Sequence, residues 1–224
     1  MRRRFGREPR RWIGVNLSMI DPVDEWNPFD VLLERDSTRS EHADLGFRAH
    51  CTPVPVIGLV QVEPFTPLFP ERDRQDDARA AARRVAYSTP AAVVEIDTRL
   101  DVANASGLRT PAEVETLIAR MDIVVTTRLH GLVLALKHGV PAVAIDPIAG
   151  GDKITAQARM VDWPCAFAVD EASDDVLSEA LAFAISADGR SRARAAAERG
   201  VQSVEALREE FLDALALERT RAAG

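Results

Sequence analysis

The chain has 224 residues, of which 46 % are hydrophobic, enough to bury a full core in one large domain. Its formal net charge of −7 argues against nucleic acid as the main partner, and no run is long and apolar enough to suggest a membrane span. The two cysteines, Cys51 and Cys165, lie far apart and make neither a disulfide framework nor a metal-ligand spacing, which points to the reducing cytoplasm.

The head of the chain, MRRRFGREPRR, holds six arginines and reads as a basic, disordered tail, with no apolar stretch of signal-peptide length behind it. Trp12 to Leu17 reads as a strand, Pro22 to Pro28 as a loop, and Phe29 to Glu34 as a short apolar turn or helix. Residues 1–50 are therefore expected to be this tail plus the remnant of a preceding domain or junction, and residues 51–224 one domain with terminal helices.

From Val54 the pattern becomes regular. A strand VPVIGLVQV (54–62) leads through a proline-rich loop to an Ala/Arg helix from Asp73 to Ala86, and a strand AAVVEID (91–97) follows. The polar loop TRLDVANASGLR then reaches Thr110, Pro111 and Glu113, a capping box with proline at the first helical position. DIVVTT (122–127) is the next buried strand, and a helix-period segment returns through another to Asp146. A helix from Lys153 to about Val161, a short strand CAFAVD (165–170) and two Ala-rich helices, Ser173 to Ser186 and Arg190 to Glu218, complete the chain. Strand and helix alternate, so the expected fold is α/β: a Rossmann-like parallel sheet with helices on both faces. In the last helix Val201, Val204, Leu207, Phe211 and Leu215 recur at helical spacing, a stripe that is expected to be core rather than partner site.

In open parallel sheets, ligands sit where the carboxyl ends of the strands meet the helix starts. Glu63, Asp97, Arg99, Thr126, Thr127, Arg128 and Asp146 all follow strands and should face one crevice. Arg128 and His130 open a helix at that edge, where exposed N–H groups and partial positive charge favour an anion. A bound anion that the helix start and both side chains share would explain the basic pair, because arginine's flat fork suits a carboxylate or phosphate. The other reading has Arg128 capping a neighbouring carboxylate and His130 as a satisfied, half-buried ring. Gly150 and Gly151, ahead of the N-cap candidate Asp152, could form a second anion-holding nest or a plain turn. Only Lys137 and Lys153 among 28 basic side chains are lysine, which singles out Lys153; Lys137 is expected to be solvated.

The run TTRLHGLVLALKHGVPAVAID, with a lysine shortly after it, resembles the C-terminal signature of the polysaccharide pyruvyl transferases. More loosely, Glu34, Arg35, Asp36 and Ser37, leading to Leu45 and Gly46, resemble that family's Arg-Asp-x-x-Ser stretch near the domain junction, so the resemblance covers about residues 34–170. It implies one half, the C-terminal domain, of a glycosyltransferase-B-like fold. It implies an enzyme of cell-surface polysaccharide biosynthesis that moves the enolpyruvyl group of phosphoenolpyruvate onto two sugar hydroxyls as a cyclic ketal. The partners would be that anionic donor and a sugar or glycan acceptor, with no cofactor and no metal. On this reading His130 is the general acid and Arg128 clamps the donor. Thr127, Gly131 and Lys153 join them at the donor, with Asp146, Arg99, Gly150 and Gly151 placed by position. The family carries two facing domains, whereas here the first is nearly absent, leaving room for a homo-oligomer or a separate N-terminal half. The alternatives are a nucleotide-sugar-dependent glycosyltransferase of the same fold and a non-catalytic, truncated interaction module.

Overall fold

The computed structural model describes residues 11–222 except 38, 62–70, 101 and 103, with side chains described to residue 215. The basic tail at residues 2–10, the proline-rich loop and Glu63 lie outside the described residues. The chain divides into two compact units, Met1–Pro53 and Val54–Gly224.

In the first unit, β1 (Ile13–Ser18) and β2 (Val31–Asp36) form a parallel pair. The expected turn or helix at Phe29 to Glu34 is thus a strand. Its six residues lack any local partner, and the strand they join lies a dozen residues upstream, beyond the reach of a short-window pattern. Asn16 interrupts the β1 register with a left-handed backbone (φ 54°). Its amide donates to Ala43 O at 2.9 Å and accepts from Leu45 N at 2.9 Å, pinning the loop that follows β2. Arg35 reaches Asp44 and Ser18, each at 2.5 Å, and Arg39 holds the buried Glu34 carboxylate at 2.6 Å.

The second unit is a five-stranded, wholly parallel sheet in the order β4-β3-β5-β6-β7. Its strands are β3 (Val56–Val60), β4 (Ala92–Ile96), β5 (Ile123–Thr126), β6 (Ala142–Asp146) and β7 (Ala166–Ala168). Helices α1 (Gln75–Ala86) and α5 (Asp174–Ile185) pack together over one face. The opposite layer is made of α2 (Pro111–Ile118), α3 (Leu129–Lys137) and α4 (Lys153–Met160). Ile57, Leu59, Val60, Ile123, Val124, Val125 and Ile145 are all at most 1 % exposed; each such side chain contributes about 1.5–3 kcal/mol through burial. The capping box of α2 forms as its sequence predicts: Thr110 Oγ1 accepts from Glu113 N and the Glu113 carboxylate accepts from Thr110 N. Because the chain goes from β3 outward to β4 and then back past β3 to β5, the order reverses between β3 and β5. That is where a doubly wound sheet opens a crevice at its carboxyl edge.

The last helix, α6 (Ala187–Ala222), touches α3 and α5 and buries Ala193 and Ala196. Beyond Gly200 the expectation of a core stripe fails: Val201, Val204, Leu207, Phe211 and Leu215 are 48–64 % exposed. Periodicity marks one face of a helix as apolar but carries no information on whether another element covers it. Among the described residues no helix is long and apolar enough to cross a membrane.

Candidate functional site

The turn from β5 into α3 is built on Thr126. Its buried hydroxyl accepts from Arg128 N at 2.9 Å and donates toward Val60 O at 3.1 Å, tying the end of β5 to β3 at the reversal point. Arg128 therefore takes the N-cap position in an extended conformation (φ −121°, ψ 141°), and α3 begins at Leu129. Gly131 lets the helix come this close. A Cβ there would fall well inside contact with Thr126 Oγ1, 2.9 Å from Thr126 Cβ and 3.0 Å from Val60 Cγ1. Gly131→Ala should accordingly destabilise the domain by about 2–3 kcal/mol, read as a lower thermal midpoint by roughly 2–4 °C per kcal/mol; an unchanged midpoint would show that the helix start can move. The expectation that Gly131 contacts substrate is corrected here, since the residue is buried against β5 and β3.

Arg128 and His130 border the same hollow. Arg128 is half-buried and donates from Nη1 to Thr98 Oγ1 at 2.8 Å. Burial pulls its pKa down, Asp97 opposes this and Arg99 adds to it. Among the described residues its guanidinium forms no ion pair with a carboxylate. His130 is exposed and its ring has no hydrogen-bond partner among the described residues. Both, with Thr127 and Lys153, line a hollow of 240 Å³ at the carboxyl ends of β5 and β6. Lys153 is the first residue of α4, exposed, with no ion-pair partner among the described residues.

The two helix starts at this hollow differ. That of α4 is already occupied by a carboxylate of the protein: Asp146, 1 % exposed, accepts through Oδ2 from Asp152 N (2.9 Å), Ile154 N (3.1 Å) and Thr155 N (3.2 Å). Its Oδ1 accepts from Ile148 N at 3.2 Å. Asp146 lines the hollow but is spent on holding α4, which corrects its placement among substrate-binding residues. Among the described residues no side chain caps the start of α3 and its first turn holds no acidic residue. Arg128 and Lys153 border the hollow there.

Other positional expectations separate from the site. Arg99 turns back on the buried Asp97 (2.6 and 2.8 Å) and lines a neighbouring hollow with Arg83 and Ser106 instead. Burial pushes the Asp97 carboxyl up, but the bonds from Arg99 and from backbone N–H groups outweigh it and hold the pKa below the usual range. Gly150 and Gly151 adopt left-handed backbone (φ 78° and 79°), yet the expected nest is filled from within. Gly150 N donates to Asp170 Oδ1 at 2.9 Å, Gly151 N to Ile148 O at 2.8 Å, and Arg72 grips Ala149 O at 2.7 Å. The glycines make a clamped turn.

Asp73, Gln75 and Arg79, around the start of α1, were missed by the sequence reading and form the third wall of the hollow. Backbone bonds place them there: Arg74 N donates to Pro147 O at 2.8 Å, and Asp73 bridges to Ile148. Their only signal in the sequence is proximity to a helix start. Cys165 is buried and its thiol is pushed up to about 11 by burial, so it is no nucleophile. Among the described residues no group of three His, Cys, Asp or Glu side chains is disposed to hold a metal ion.

Residues 57–147, which run from β3 through the β5–α3 turn to the end of β6, match the model of the polysaccharide pyruvyl transferase family. This is the family that the run Thr126 to Asp146 resembles. No curated protein matches the chain. Among solved structures, a spinosyn rhamnosyltransferase, SpnG, complexed with spinosyn aglycone is similar at 9 % identity and a TM-score of 0.46, over 77 % of this chain and 53 % of that one. The calicheamicin glycosyltransferase CalG4 is similar at 19 % identity and 0.43, over 72 % and 43 %. The spinosyn forosaminyltransferase SpnP is similar at 16 % and 0.44, over 80 % and 49 %. The chain spans about half the length of these structures.

Proposed function

We infer that this chain is a transferase of the pyruvyl transferase kind: it binds phosphoenolpyruvate at the start of α3 and supports transfer of its enolpyruvyl group to a sugar hydroxyl pair as a ketal. The observation that carries this reading is the convergence of Arg128, Lys153 and an exposed His130, whose ring has no hydrogen-bond partner among the described residues, on one hollow; Arg128 and His130 lie within the segment that matches the family model. Phosphoenolpyruvate carries a phosphate and a carboxylate on a three-carbon frame, and Arg128, Lys153 and the start of α3 are the groups of the hollow suited to them.

The chemistry follows from that placement. The methylene carbon of the donor takes a proton from His130. The adjacent carbon becomes electron-poor and is attacked by one sugar hydroxyl. Phosphate leaves with its charge balanced by Arg128 and Lys153, and the second hydroxyl closes the ketal, each hydroxyl losing its proton. Of the two hydroxyl protons, one replaces the proton that His130 gave and the other leaves with the phosphate. On this reading the product belongs to cell-surface polysaccharide biosynthesis and the reaction to the cytoplasm.

Thermal unfolding with added phosphoenolpyruvate tests the reading. A ligand of the native state at a hundredfold excess over Kd adds about 2.7 kcal/mol. The expected result is a raised midpoint in the wild type and none in Arg128→Ala. An absent shift, or an equal shift in that variant, overturns the assignment; a shift with nucleotide sugars alone assigns the hollow to a different donor.

A further inference from the structure

We propose that the outer half of α6 is a homodimer interface, in which two copies of this chain pair antiparallel along the stripe from Val201 to Leu215. The surface is large enough. Val201, Val204, Leu207, Phe211, Leu212 and Leu215 are each 47–64 % exposed, which amounts to on the order of 600 Å² per chain, close to the roughly 800 Å² per partner of a stable interface. The stripe also runs into an apolar groove of 380 Å³ between α3, α4 and α6, where Val133, Met160 and Val161 join Val201 and Val204. A second helix end thus has a socket as well as a seam.

Charge selects the occupant. Gln202, Glu209 and Asp213 share the side of α6 opposite the stripe, and Arg208 is the one basic residue between 201 and 215. Amphipathic helices that lie on membranes carry Lys and Arg on their polar face, and nucleic acid requires a basic surface; an acidic back face suits neither. Arg208 lies within the seam, between Val204 and Phe211 in the three-and-four spacing, and meets Glu205 at the seam's flank at 3.9 Å. In an antiparallel pair centred between them, each Arg208 faces the Glu205 of the other copy, so one surface supplies both halves of the ion pair, as two-fold symmetry demands. Residues 201, 204, 208, 211 and 215 follow the alternating spacing of three and four along which helices pack at a shallow angle, apolar at every position but Arg208.

Sedimentation equilibrium of the full chain should give twice the 24.5 kDa chain mass. Leu207→Glu/Phe211→Glu should sediment as a monomer with an unchanged far-UV spectrum, because both side chains are exposed within the chain. Arg208→Glu should weaken the dimer about tenfold, and Glu205→Arg/Arg208→Glu should restore it. A monomeric wild type, a dimer that survives Leu207→Glu/Phe211→Glu, or a charge swap that fails to restore pairing overturns the proposal.

Discussion

Asp146→Ala should lower the unfolding free energy by roughly 3–5 kcal/mol, the largest stability effect expected of any strand-end substitution in this protein. The carboxylate is 1 % exposed and accepts four backbone N–H groups, three at the start of α4 and one from the preceding turn. Alanine leaves these donors in a space that water reaches poorly, and each buried donor left without an acceptor costs about 1–3 kcal/mol. It also removes the negative charge that complements the helix start. Asp146→Asn keeps one acceptor oxygen but points an amide donor at the remaining N–H groups, so it should fall between the two. Urea denaturation at neutral pH reads the effect. A loss under about 1 kcal/mol for the alanine variant would mean that α4 is held by its apolar contacts, chiefly Ile154 and Ala158.

His130→Gln should reduce transfer by a factor of about 10²–10⁴, the range for loss of a positioned general acid, while leaving donor affinity within a few-fold. Glutamine approximates the reach and hydrogen bonding of imidazole but has no proton to give. The ring is exposed and has no hydrogen-bond partner among the described residues, so the substitution should not disturb the fold. Arg128→Ala should show the opposite split, with weakened donor binding, since it removes the cation to which the proposed donor would bind. Phosphate release under saturating donor, with Kd measured separately, distinguishes these. Equal losses in binding for both variants would make His130 an anchor, and undiminished turnover in His130→Gln would remove it from the chemistry.

The site was partly legible because the features that announce it are local. A buried strand DIVVTT running directly into a helix with Arg128 and His130 at its start is written in consecutive residues, and the α2 capping box is equally self-contained. What misled was treating every strand-end residue as equivalent. Arg99, Asp146 and Arg128 all follow strands, but Asp97 captures the first, the start of α4 captures the second, and only the third keeps its charge toward the hollow. Arg79 was invisible for the converse reason: it sits a full turn into α1, and only the backbone bonds of residues 73 and 74 to residues 147 and 148 bring that helix to the hollow.

The amino-acid order alone determined the alternation of strand and helix in residues 54–224, the caps and the placement of a basic pair at a sheet edge, because these depend on side-chain periodicity and on hydrogen bonds spanning a few positions. Tertiary structure decided the pairing of β1 with β2, the exposure of the α6 stripe, and which charged groups are neutralised within the fold. Those outcomes depend on what arrives from distant parts of the chain to cover a face or accept a proton, and a local pattern holds no record of its eventual neighbours.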